Sequence, residues 1–350
     1  MSHGYVPVQW NARKKAFDYF VLAGVLAYVG VFVGLSIAIH GANAPSEDIV
    51  LIRATGSAAF VLLHGVLAIG PLARLDRRFT PLLYNRRHLG VTVFLLGFVH
   101  VTLTSLVYFG FAESDPLWNI LENRAPEVQG IFPYFGLAAF LILFLMAATS
   151  HDFWQALLGN IPWKWLHMAV YLAYVLLVLH VAYGVMRSET DLWAPTLVGL
   201  GILGLSALHL AAARVSTRGD ALLETKSEDE GVWVDAGAPE SIALERAKGV
   251  RLPSGERIAV VHHREGYSAL SGVCAHQAGP LYEGRVIDDC LTCPWHGYQY
   301  RPENGQSPPP FEERLPTYRL RLRSGRLQVL DQPQPPGTPI PPLVMESEHV

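Results

Sequence analysis

The feature that most constrains this chain is a series of six apolar runs, each long enough to cross a lipid bilayer. The runs are Phe17–Ile39, Ile49–Leu72, Leu89–Phe109, Phe132–Ala148, Trp165–Met186 and Leu192–Ala213. Crossing the hydrocarbon core takes about 20 predominantly apolar residues in a helix. Only helices and closed barrels satisfy their backbone hydrogen bonds in lipid, and these runs lack the alternation of barrel strands. The sequence therefore predicts a bundle of about six transmembrane helices within residues 17–214.

The charges between these runs predict the orientation of the bundle. The connection after the second run is rich in arginine, with Arg74, Arg77, Arg78, Arg86 and Arg87. The first connection carries Glu47 and Asp48 and no Lys or Arg, and the third holds four acids against Arg124. Because positively charged connections stay in the cytoplasm, we expect residues 1–16 and the chain beyond the sixth run to lie there. The first run follows three basic residues and has no small-residue cleavage site, so it is predicted to be a span rather than a signal peptide.

Two short motifs in the last third of the chain pair a cysteine with a histidine. The first is Cys274-Ala-His276, and the second, sixteen residues later, is Cys293-Pro-Trp-His296. Zinc fingers keep like ligands together, Cys with Cys and His with His. A Rieske [2Fe–2S] centre instead needs two thiolates on one iron and two imidazoles on the other, which these mixed pairs supply. We therefore predict that Cys274 and Cys293 bind one iron and that His276 and His296 bind the other.

The residues around these motifs, SGVCAHQAGPLYEG and CLTCPWHGYQY, resemble Rieske ferredoxins of the kind that feed aromatic-ring dioxygenases. Rieske proteins of respiratory cytochrome complexes carry one further cysteine in each loop, and the two form a disulfide. The corresponding positions here are Gly279 and Trp295. The resemblance thus implies a lower-potential centre, in a domain that does not need an oxidising compartment. The third cysteine, Cys290, is predicted to be a buried free thiol.

The remaining composition predicts how the chain is divided. Residues 215–230 are polar and acidic and are expected to be a flexible linker. Short alternating runs separated by Gly and Pro follow in residues 231–331, which is typical of a small antiparallel domain. Residues 332–350 are rich in proline and are expected to be disordered. The predicted fold is therefore multi-domain, an α-helical membrane bundle followed by a small all-β Rieske-type domain.

Four histidines fall inside the predicted spans, where an ionisable residue indicates a function. His64 lies in the second run, His100 in the third, and His167 and His180 in the fifth. His167 and His180 are about 50° apart around the helix axis and roughly 20 Å apart along it, which suits ligands at two depths. The natural occupant between helices that present imidazoles is b-type haem. The alternative for each residue is a hydrogen-bonded core histidine, and this alternative stays open above all for His64.

Three stretches carry a resemblance to a known family. They are RATGSAAFVLLHGVLAIGPLARL, the arginine-rich YNRRHLGV, and WKWLHMAVYLAYVLLVLH. Over residues 45–215 the chain resembles the ferric-reductase-like transmembrane family, and within it the haem-binding subunit of bacterial methionine-sulfoxide reductase systems. The resemblance implies one or two b haems in a bacterial inner membrane, with His100, His167 and His180 as ligands. Many eukaryotic relatives append flavin and NADPH domains where this chain appends its Rieske-type domain.

The sixth run contains Gly199, Gly201 and Gly204 in the spacing of a dinucleotide-binding fingerprint. No strand precedes these glycines and they lie within a membrane span, so we expect them to serve helix packing. The sequence thus offers no nicotinamide or flavin motif that could start an electron pathway within the chain.

Together these features predict transmembrane electron transfer, from a cytoplasmic Rieske cluster to haem and on to an external acceptor. The donor would be a soluble reductase or a quinone, and the acceptor ferric iron, oxygen or a periplasmic protein. A net charge of −3 without a basic tract argues against a nucleic-acid partner. No catalytic residue is predicted, so the sequence leaves open whether the chain is an oxidoreductase or an electron-transfer component.

Two other functions fit the same motifs, and one is excluded. The first is a quinone-linked electron-transfer subunit, and the second is a redox-sensing membrane protein that carries no flux. A ring-hydroxylating oxygenase would need a further domain with a mononuclear iron site. Fewer than sixty residues follow His296, which leaves no room for that domain.

Overall fold

The computed structural model describes residues 12–41, 45–83, 85–109, 130–188, 192–219, 225–228, 231–276, 278–295 and 297–345. The chain forms two compact units. We call the first, residues 10–72 and 85–211, the membrane unit. We call the second the soluble unit, and it is built mainly from residues 212–350 with the short segment 73–84.

Ten α-helices lie in the described part of the chain. In chain order they are α1 (Ala12–His40), α2 (Glu47–Leu75), α3 (Thr80–Leu83), α4 (Arg86–Phe109), α5 (Phe132–Ala148), α6 (Asp152–Leu158), α7 (Asn160–Met168), α8 (Val170–Tyr183), α9 (Val185–Ser188) and α10 (Trp193–Gly219). The acidic connection before α5, residues 110–129, lies outside the described residues.

Five helical segments are long and apolar enough to cross a membrane, judged by length and composition. They are Lys14–His40, Glu47–Leu75, Arg86–Tyr108, Pro162–Tyr183 and Ala194–Val215. The sixth apolar helix, α5, has 17 residues. The sequence-based prediction of about six membrane helices followed by a β domain is therefore confirmed.

The span Pro162–Tyr183 is not one regular helix. Ala169 separates α7 from α8. Its N–H donates to the Leu166 carbonyl, three residues earlier, at 3.1 Å, whereas an α-helix would bond four residues back. At the other end, the N–H of Gly184 bonds to the carbonyl of His180 at 3.0 Å and closes α8. The break places His167 on α7 and His180 on α8.

Eleven strands lie in the described residues of the soluble unit. They are β1 (Thr225–Glu228), β2 (Gly231–Gly237), β3 (Arg246–Arg251), β4 (Arg257–His263), β5 (Gly266–Ser271), β6 (Arg285–Ile287), β7 (Cys290–Thr292), β8 (Gln299–Tyr300), β9 (Thr317–Tyr318), β10 (Leu320–Arg323) and β11 (Arg326–Leu330). One sheet has the strand order β1-β2-β11-β10 and the other β8-β7-β6-β3-β4-β5-β9. Every strand pair in both sheets is antiparallel.

Strand β4 is buried on both faces, and this divides the core of the soluble unit in two. Ile258 and Val260 pack into one apolar cluster, while Ala259 and Val261 pack into the other. Successive side chains of a strand point to opposite faces, so one strand can serve both clusters. The second cluster also contains Cys274 and Cys293, so the predicted iron ligands are part of the hydrophobic core rather than an appendage to it.

Two predictions about the segments that flank the β domain differ from the structure. In the predicted linker 215–230, α10 continues to Gly219, and β1 pairs with β2 in an antiparallel hairpin. Residues 220–224 and 229–230 of that segment lie outside the described residues. The predicted disorder of residues 332–350 is wrong for residues 332–345, which are ordered, while 346–350 lie outside the described residues.

Backbone hydrogen bonds tie this proline-rich segment to the soluble unit. Leu343 and Tyr267 exchange two N–H···O=C bonds of 2.8 and 3.0 Å, and Ile340 donates to the Glu303 carbonyl at 2.8 Å. Proline has its φ angle fixed already, so an extended segment rich in proline loses little conformational entropy when it is held in place. The residues between the prolines supply the N–H groups that hold it there. Composition alone indicated disorder because it does not register these donors.

We expect a chain that ends at Asp331 to have a soluble unit less stable by roughly 2–4 kcal/mol, since several backbone hydrogen bonds and the packing of Leu343 are lost. Thermal or denaturant unfolding followed by the visible circular dichroism of the cluster measures this. A chain that ends at Met345 is the matched control and should unfold like the full-length protein. Equal stability of the two truncated chains would contradict the prediction.

Candidate metal centres

Two loops of the soluble unit carry the Cys/His motifs, and they have the same backbone hydrogen bonds. The first loop joins β5 to β6, and the second joins β7 to β8. In the first, the N–H of Cys274 donates to the Gly279 carbonyl at 2.9 Å, and Ala278 donates back to the Cys274 carbonyl at 2.8 Å. The cysteine N–H thus bonds to the residue five positions later, and the cysteine carbonyl to the residue four positions later. The second loop has the same two bonds, so each loop closes on its own cysteine.

In the second loop, Cys293 N–H donates to the Tyr298 carbonyl at 2.7 Å, and Gly297 donates to the Cys293 carbonyl at 2.9 Å. The residue four positions after each cysteine has a positive φ, 53° at Ala278 and 72° at Gly297. Glycine adopts this conformation without steric cost, whereas alanine does so only where the surrounding bonds hold it. The two loops thus present their cysteines in matched settings.

The loops also touch each other. A Cβ at Gly279 would lie 2.6 Å from Cys293 Sγ and 3.3 Å from the Trp295 ring, so only glycine leaves room there for the second thiol. Gly279 and Trp295 are the positions at which the respiratory relatives place a disulfide, and here they pack directly against each other. All three cysteines are buried. Cys274 and Cys293 are each 1% exposed, which protects a thiolate-bound iron from water.

The histidine ligands differ in what the structure describes. The ring of His276 stacks on the ring of Tyr298, with a centroid distance of 4.7 Å and an interplanar angle of 10°. His276 is half-buried, so it lies between the core and the surface of the unit. His296 lies outside the described residues, as does Gln277, the residue after His276. The pairing of His276 with His296 on one iron therefore stays a prediction.

Tyr300 is a candidate functional residue that the sequence analysis did not identify. Its hydroxyl oxygen lies 3.4 Å from Cys274 Sγ and accepts a hydrogen bond from the Ala275 N–H at 3.1 Å. A thiolate that binds iron can only accept, so the tyrosine O–H donates to sulfur. Burial, together with the neighbouring Cys274, raises the pKa of Tyr300 far above its ordinary value, so the hydroxyl keeps its proton. The only sequence signal is the position of Tyr300 on the strand that leaves the second loop.

Cys290 does not belong to the centre. It is buried at the start of β7, as predicted, and burial raises the pKa of its thiol to about 11. A thiol with that pKa is protonated at neutral pH and is a poor nucleophile or ligand. Its proximity in sequence to Cys293 makes it a useful control for substitutions of the ligand cysteines.

In the membrane unit, the structure brings His100 of α4 and His180 of α8 together. Their ring centroids are 6.2 Å apart, with the ring planes nearly perpendicular. His100 Nδ1 lies 2.9 Å from the Ile52 carbonyl oxygen, and His180 Nδ1 lies 2.8 Å from that of Phe132. A carbonyl can only accept, so each Nδ1 carries the proton and each Nε2 has its lone pair available for a metal. Among the described residues, none forms a hydrogen bond to Nε2 of either ring.

This separation fits one iron between two imidazoles. Metal–imidazole bonds of about 2 Å place the two ligating nitrogens of such a pair about 4 Å apart. Ring centroids 6.2 Å apart bring the two imidazoles within the range in which both could bind one iron. The hydrogen bond from the other nitrogen to a carbonyl is the usual way a protein orients an imidazole ligand and increases its basicity.

His167 has one nitrogen satisfied and one available. Its Nδ1 lies 3.0 Å from the Trp163 carbonyl one turn earlier, and its ring stacks on the Trp163 ring at 3.9 Å. Its Nε2 is buried and makes no hydrogen bond with any residue that the structure describes. A buried polar atom without a partner costs free energy unless a ligand occupies it. The structure does not bring a second described histidine against this ring as it does for His100 and His180.

His64 is arranged differently from the other three. Its Nδ1 lies 2.7 Å from the Phe60 carbonyl, and its Nε2 lies 3.0 Å from the Tyr174 hydroxyl. Both ring nitrogens are therefore engaged within the protein, whereas a metal ligand needs one of them free. A Cβ at Gly201 of α10 would collide with His64 Nε2. That glycine therefore serves helix packing, as the sequence analysis predicted for the glycines of this run.

Comparisons with known proteins follow the division into two units. Residues 55–178 match the family described as "Ferric reductase like transmembrane component", and residues 232–319 match the "Rieske [2Fe-2S] domain". Among solved structures, a chain of "Complex of reduced oxygenase and oxidized ferredoxin in carbazole 1,9a- dioxygenase" is similar with a TM-score of 0.28 and 20% identity, covering 29% of this chain and 95% of that chain.

Among curated proteins, the chain is similar to "Protein-methionine-sulfoxide reductase heme-binding subunit MsrQ" of Ralstonia nicotianae. The two are 36% identical over 141 residues, which cover 40% of this chain and 60% of that protein. The protein of the same name from Yersinia pseudotuberculosis is 34% identical over 155 residues, covering 43% of this chain and 70% of that protein. The chain thus spans about three fifths of the length of the Ralstonia protein.

We expect Tyr300→Phe to lower the reduction potential of the cluster. A hydrogen bond to a ligand thiolate favours the reduced, more negative state, and losing about 0.5–1.5 kcal/mol corresponds to roughly 20–60 mV for one electron. Redox titration followed by EPR measures the shift. Tyr318→Phe is the matched control, since Tyr318 is also a buried tyrosine but belongs to the other apolar cluster. An unchanged potential in Tyr300→Phe would contradict the role given to this hydroxyl.

Proposed function

Because the chain belongs to the ferric-reductase-like family that includes the heme-binding subunits MsrQ, and adds a Rieske [2Fe–2S] domain, we propose that it transfers electrons across a membrane. The single observation that carries the proposal is the joining of two redox-active segments in one chain. A cluster and a haem each accept and release one electron when bound, so together they can form a pathway. The chain is a multi-pass membrane protein, which gives that pathway a direction across the bilayer.

The membrane unit would hold a b-type haem between His100 and His180. The support is chemical as well as positional, because both imidazoles present Nε2 while a backbone carbonyl holds Nδ1. Thirteen residues separate His180 from His167, whose buried Nε2 is available at a second depth. We propose His167 as the ligand of a further haem near the other face. His64, with both nitrogens engaged, is not proposed as a ligand.

The soluble unit would hold the [2Fe–2S] cluster through Cys274 and Cys293 on one iron and His276 and His296 on the other. The two cysteines lie in matched loops that touch at Gly279, which supports a shared site. His276 would provide the exit for an electron on the solvent side, since it is half-buried whereas both cysteines are fully buried.

The proposed direction is from the cytoplasm outward, in a bacterial inner membrane. The arginine-rich connection and the acidic first connection support a cytoplasmic location of both chain ends. Gly279 and Trp295 stand where respiratory Rieske proteins carry their disulfide-forming cysteines, which supports a reducing compartment for the soluble unit. The donor would then be a soluble cytoplasmic reductase, and the acceptor a periplasmic protein, ferric iron or oxygen outside.

The experiment that tests this proposal follows electrons through the purified chain in detergent. Mixed with NADH and a flavin-dependent ferredoxin reductase, the wild-type protein should show reduction of the haem Soret band. Cys293→Ser removes a cluster ligand and should abolish haem reduction by the reductase while leaving reduction by dithionite intact. Cys290→Ser, which changes a nearby buried thiol that is not a ligand, should behave like the wild type. Haem reduction at the wild-type rate in Cys293→Ser would show that the cluster is not on the pathway.

The haem ligands have a separate expected outcome. His100→Leu and His180→Leu should each remove the low-spin absorbance of the haem proposed between these two residues, because that haem loses one axial bond in either variant. The EPR signal of the cluster should stay, since the ligands of the cluster lie in the other unit. His64→Gln should keep its haem, as measured by the pyridine haemochrome assay. A wild-type protein without haem, or a haem-free His64→Gln with haem-loaded His100→Leu, would contradict the assignment.

A quinone-linked function is the second candidate, and one observation favours it. The Tyr300 hydroxyl donates to a ligand sulfur, which raises the reduction potential towards the range that quinol oxidation requires. A cluster potential well above about +200 mV would favour quinol as the donor, because the high-potential Rieske centres reach about +300 mV. A potential below zero would favour the soluble reductase.

A further inference from the structure

The membrane unit contains two stretches of sequence that repeat each other at a fixed offset. Gly56, Ala58, Ala59 and Phe60 of α2 recur as Gly136, Ala138, Ala139 and Phe140 of α5. Adding 80 to each residue number in the first stretch gives its counterpart in the second. The same offset takes His100 of α4 to His180 of α8. We call α2 with α4 the first hairpin, and α5 with α8 the second hairpin.

The hydrogen bonds of the two histidines obey the same offset. His100 bonds to the carbonyl of Ile52, and His180 to that of Phe132, so each acceptor lies 48 residues before its histidine. The residue one turn after each acceptor is glycine. A Cβ at Gly56 would lie 2.9 Å from His100 Nδ1, and one at Gly136 would lie 2.7 Å from His180 Nδ1. Each ring therefore rests on the backbone of the other helix of its own hairpin.

Contacts between the hairpins show how the two copies are related. Phe60 of the first hairpin stacks on Tyr174 of the second at 5.8 Å, and Phe140 of the second stacks on Phe94 of the first at 5.5 Å. Tyr174 is the counterpart of Phe94, so each contact is the other with the roles of the hairpins exchanged. Contacts that exchange in this way are the mark of a two-fold axis.

A second pair of contacts exchanges in the same manner. His64 lies 5.2 Å from the Tyr174 ring, and its counterpart Phe144 lies 5.8 Å from the Phe94 ring. His64 thus occupies a position that the second hairpin fills with phenylalanine, which agrees with a packing role. The contact between His100 and His180 maps onto itself, so the axis passes between these two rings.

We infer that the two hairpins are copies of one ancestral element, related by a pseudo-two-fold axis along the helices, and that Gly56 and Gly136 are equivalent positioning residues for the two imidazoles. This rests on the proposed haem between His100 and His180. The axis makes the two ligands equal: each has its Nδ1–H on a backbone carbonyl, and each ring lies against a glycine. Parallel repeats about an axis along the membrane normal are a known way of building membrane proteins around a central site.

The repeat does not extend to His167, the ligand proposed at the second depth. The counterpart of His167 is Arg87, so the copies do not supply a second pair of equivalent histidines. The equality of ligands therefore belongs to the His100–His180 site alone, and it is there that the glycines act. A methyl group at either glycine must displace the ring, because the contacts at 2.7–2.9 Å are to Nδ1 of the imidazole and leave it no space.

The test uses Gly56→Ala and Gly136→Ala in the full-length protein, with Gly65→Ala and Gly90→Ala as controls. A Cβ at either control glycine, one on α2 and one on α4, meets nothing within 4 Å. The haem-to-cluster ratio is measured for each variant, with the EPR signal of the cluster counting the chains. The highest g value of the oxidised haem, which reports imidazole orientation, and the haem reduction potential are measured alongside.

We call Gly56→Ala and Gly136→Ala the cradle variants. Both should lose haem relative to cluster, or shift the g value and potential of the retained haem, in the same direction and to a similar extent. The controls should match the wild type. Cradle variants that match the controls, or a change confined to one of the two, would overturn the inference while the wild-type haem leaves the proposed function standing. A wild-type protein without haem would overturn both.

If a cradle variant retains no haem, its g value and potential cannot be compared. A second pair of variants then tests whether the two ligand positions are equivalent. His100→Met and His180→Met each replace one ligand of the pair. Equivalent ligands require that the two variants give the same visible spectrum and the same shift in haem potential. Two different spectra, or shifts of different size, would overturn the equivalence of the two positions.

Discussion

The membrane unit depends on one interaction, the hydrogen bond from an imidazole Nδ1–H to a carbonyl oxygen of a neighbouring helix. Within a bilayer no water is available to satisfy either group, so the bond stabilises the histidine and fixes its tautomer at once. His100 and His180 both use it, through Ile52 and Phe132. The consequence is that Nε2 of each ring keeps a lone pair available for a metal. In His64 the second nitrogen is bonded as well, which removes it from that chemistry.

In the soluble unit, backbone hydrogen bonds within two loops hold the candidate ligands in place. Its two cysteines must be shielded from water yet remain close to each other, and each loop achieves this by bonding back to its own cysteine. Because the loops stand at the ends of paired strands, the register of β6, β7 and β8 determines that they meet. Gly279 permits the close approach of the two loops, and the Tyr300 hydroxyl lies 3.4 Å from the Cys274 sulfur, whose charge we predict it to adjust. Stability and redox tuning therefore come from the same few contacts.

Much of this could be predicted from residue patterns, and the failures have identifiable causes. The spans, the β-rich domain and the buried Cys290 follow from hydropathy, alternation and chemistry that are local in sequence. The proline-rich segment after Asp331 was predicted to be disordered because composition describes apolar content and not the placement of N–H donors between prolines. The repeat of Gly-x-Ala-Ala-Phe at an offset of 80 was visible in the sequence, but its meaning depends on contacts between helices.

The sequence by itself determined the number and length of the apolar helices and the chemical types of the candidate ligands. It also determined the thirteen-residue spacing of His167 and His180, but not the break at Ala169 that places them on two helices. Only the tertiary structure decided that His100 faces His180, that His64 bonds to Tyr174 and that Tyr300 reaches Cys274. These pairings depend on how helices and strands are rotated and packed against partners far away in the chain, and no local pattern of residues encodes that rotation.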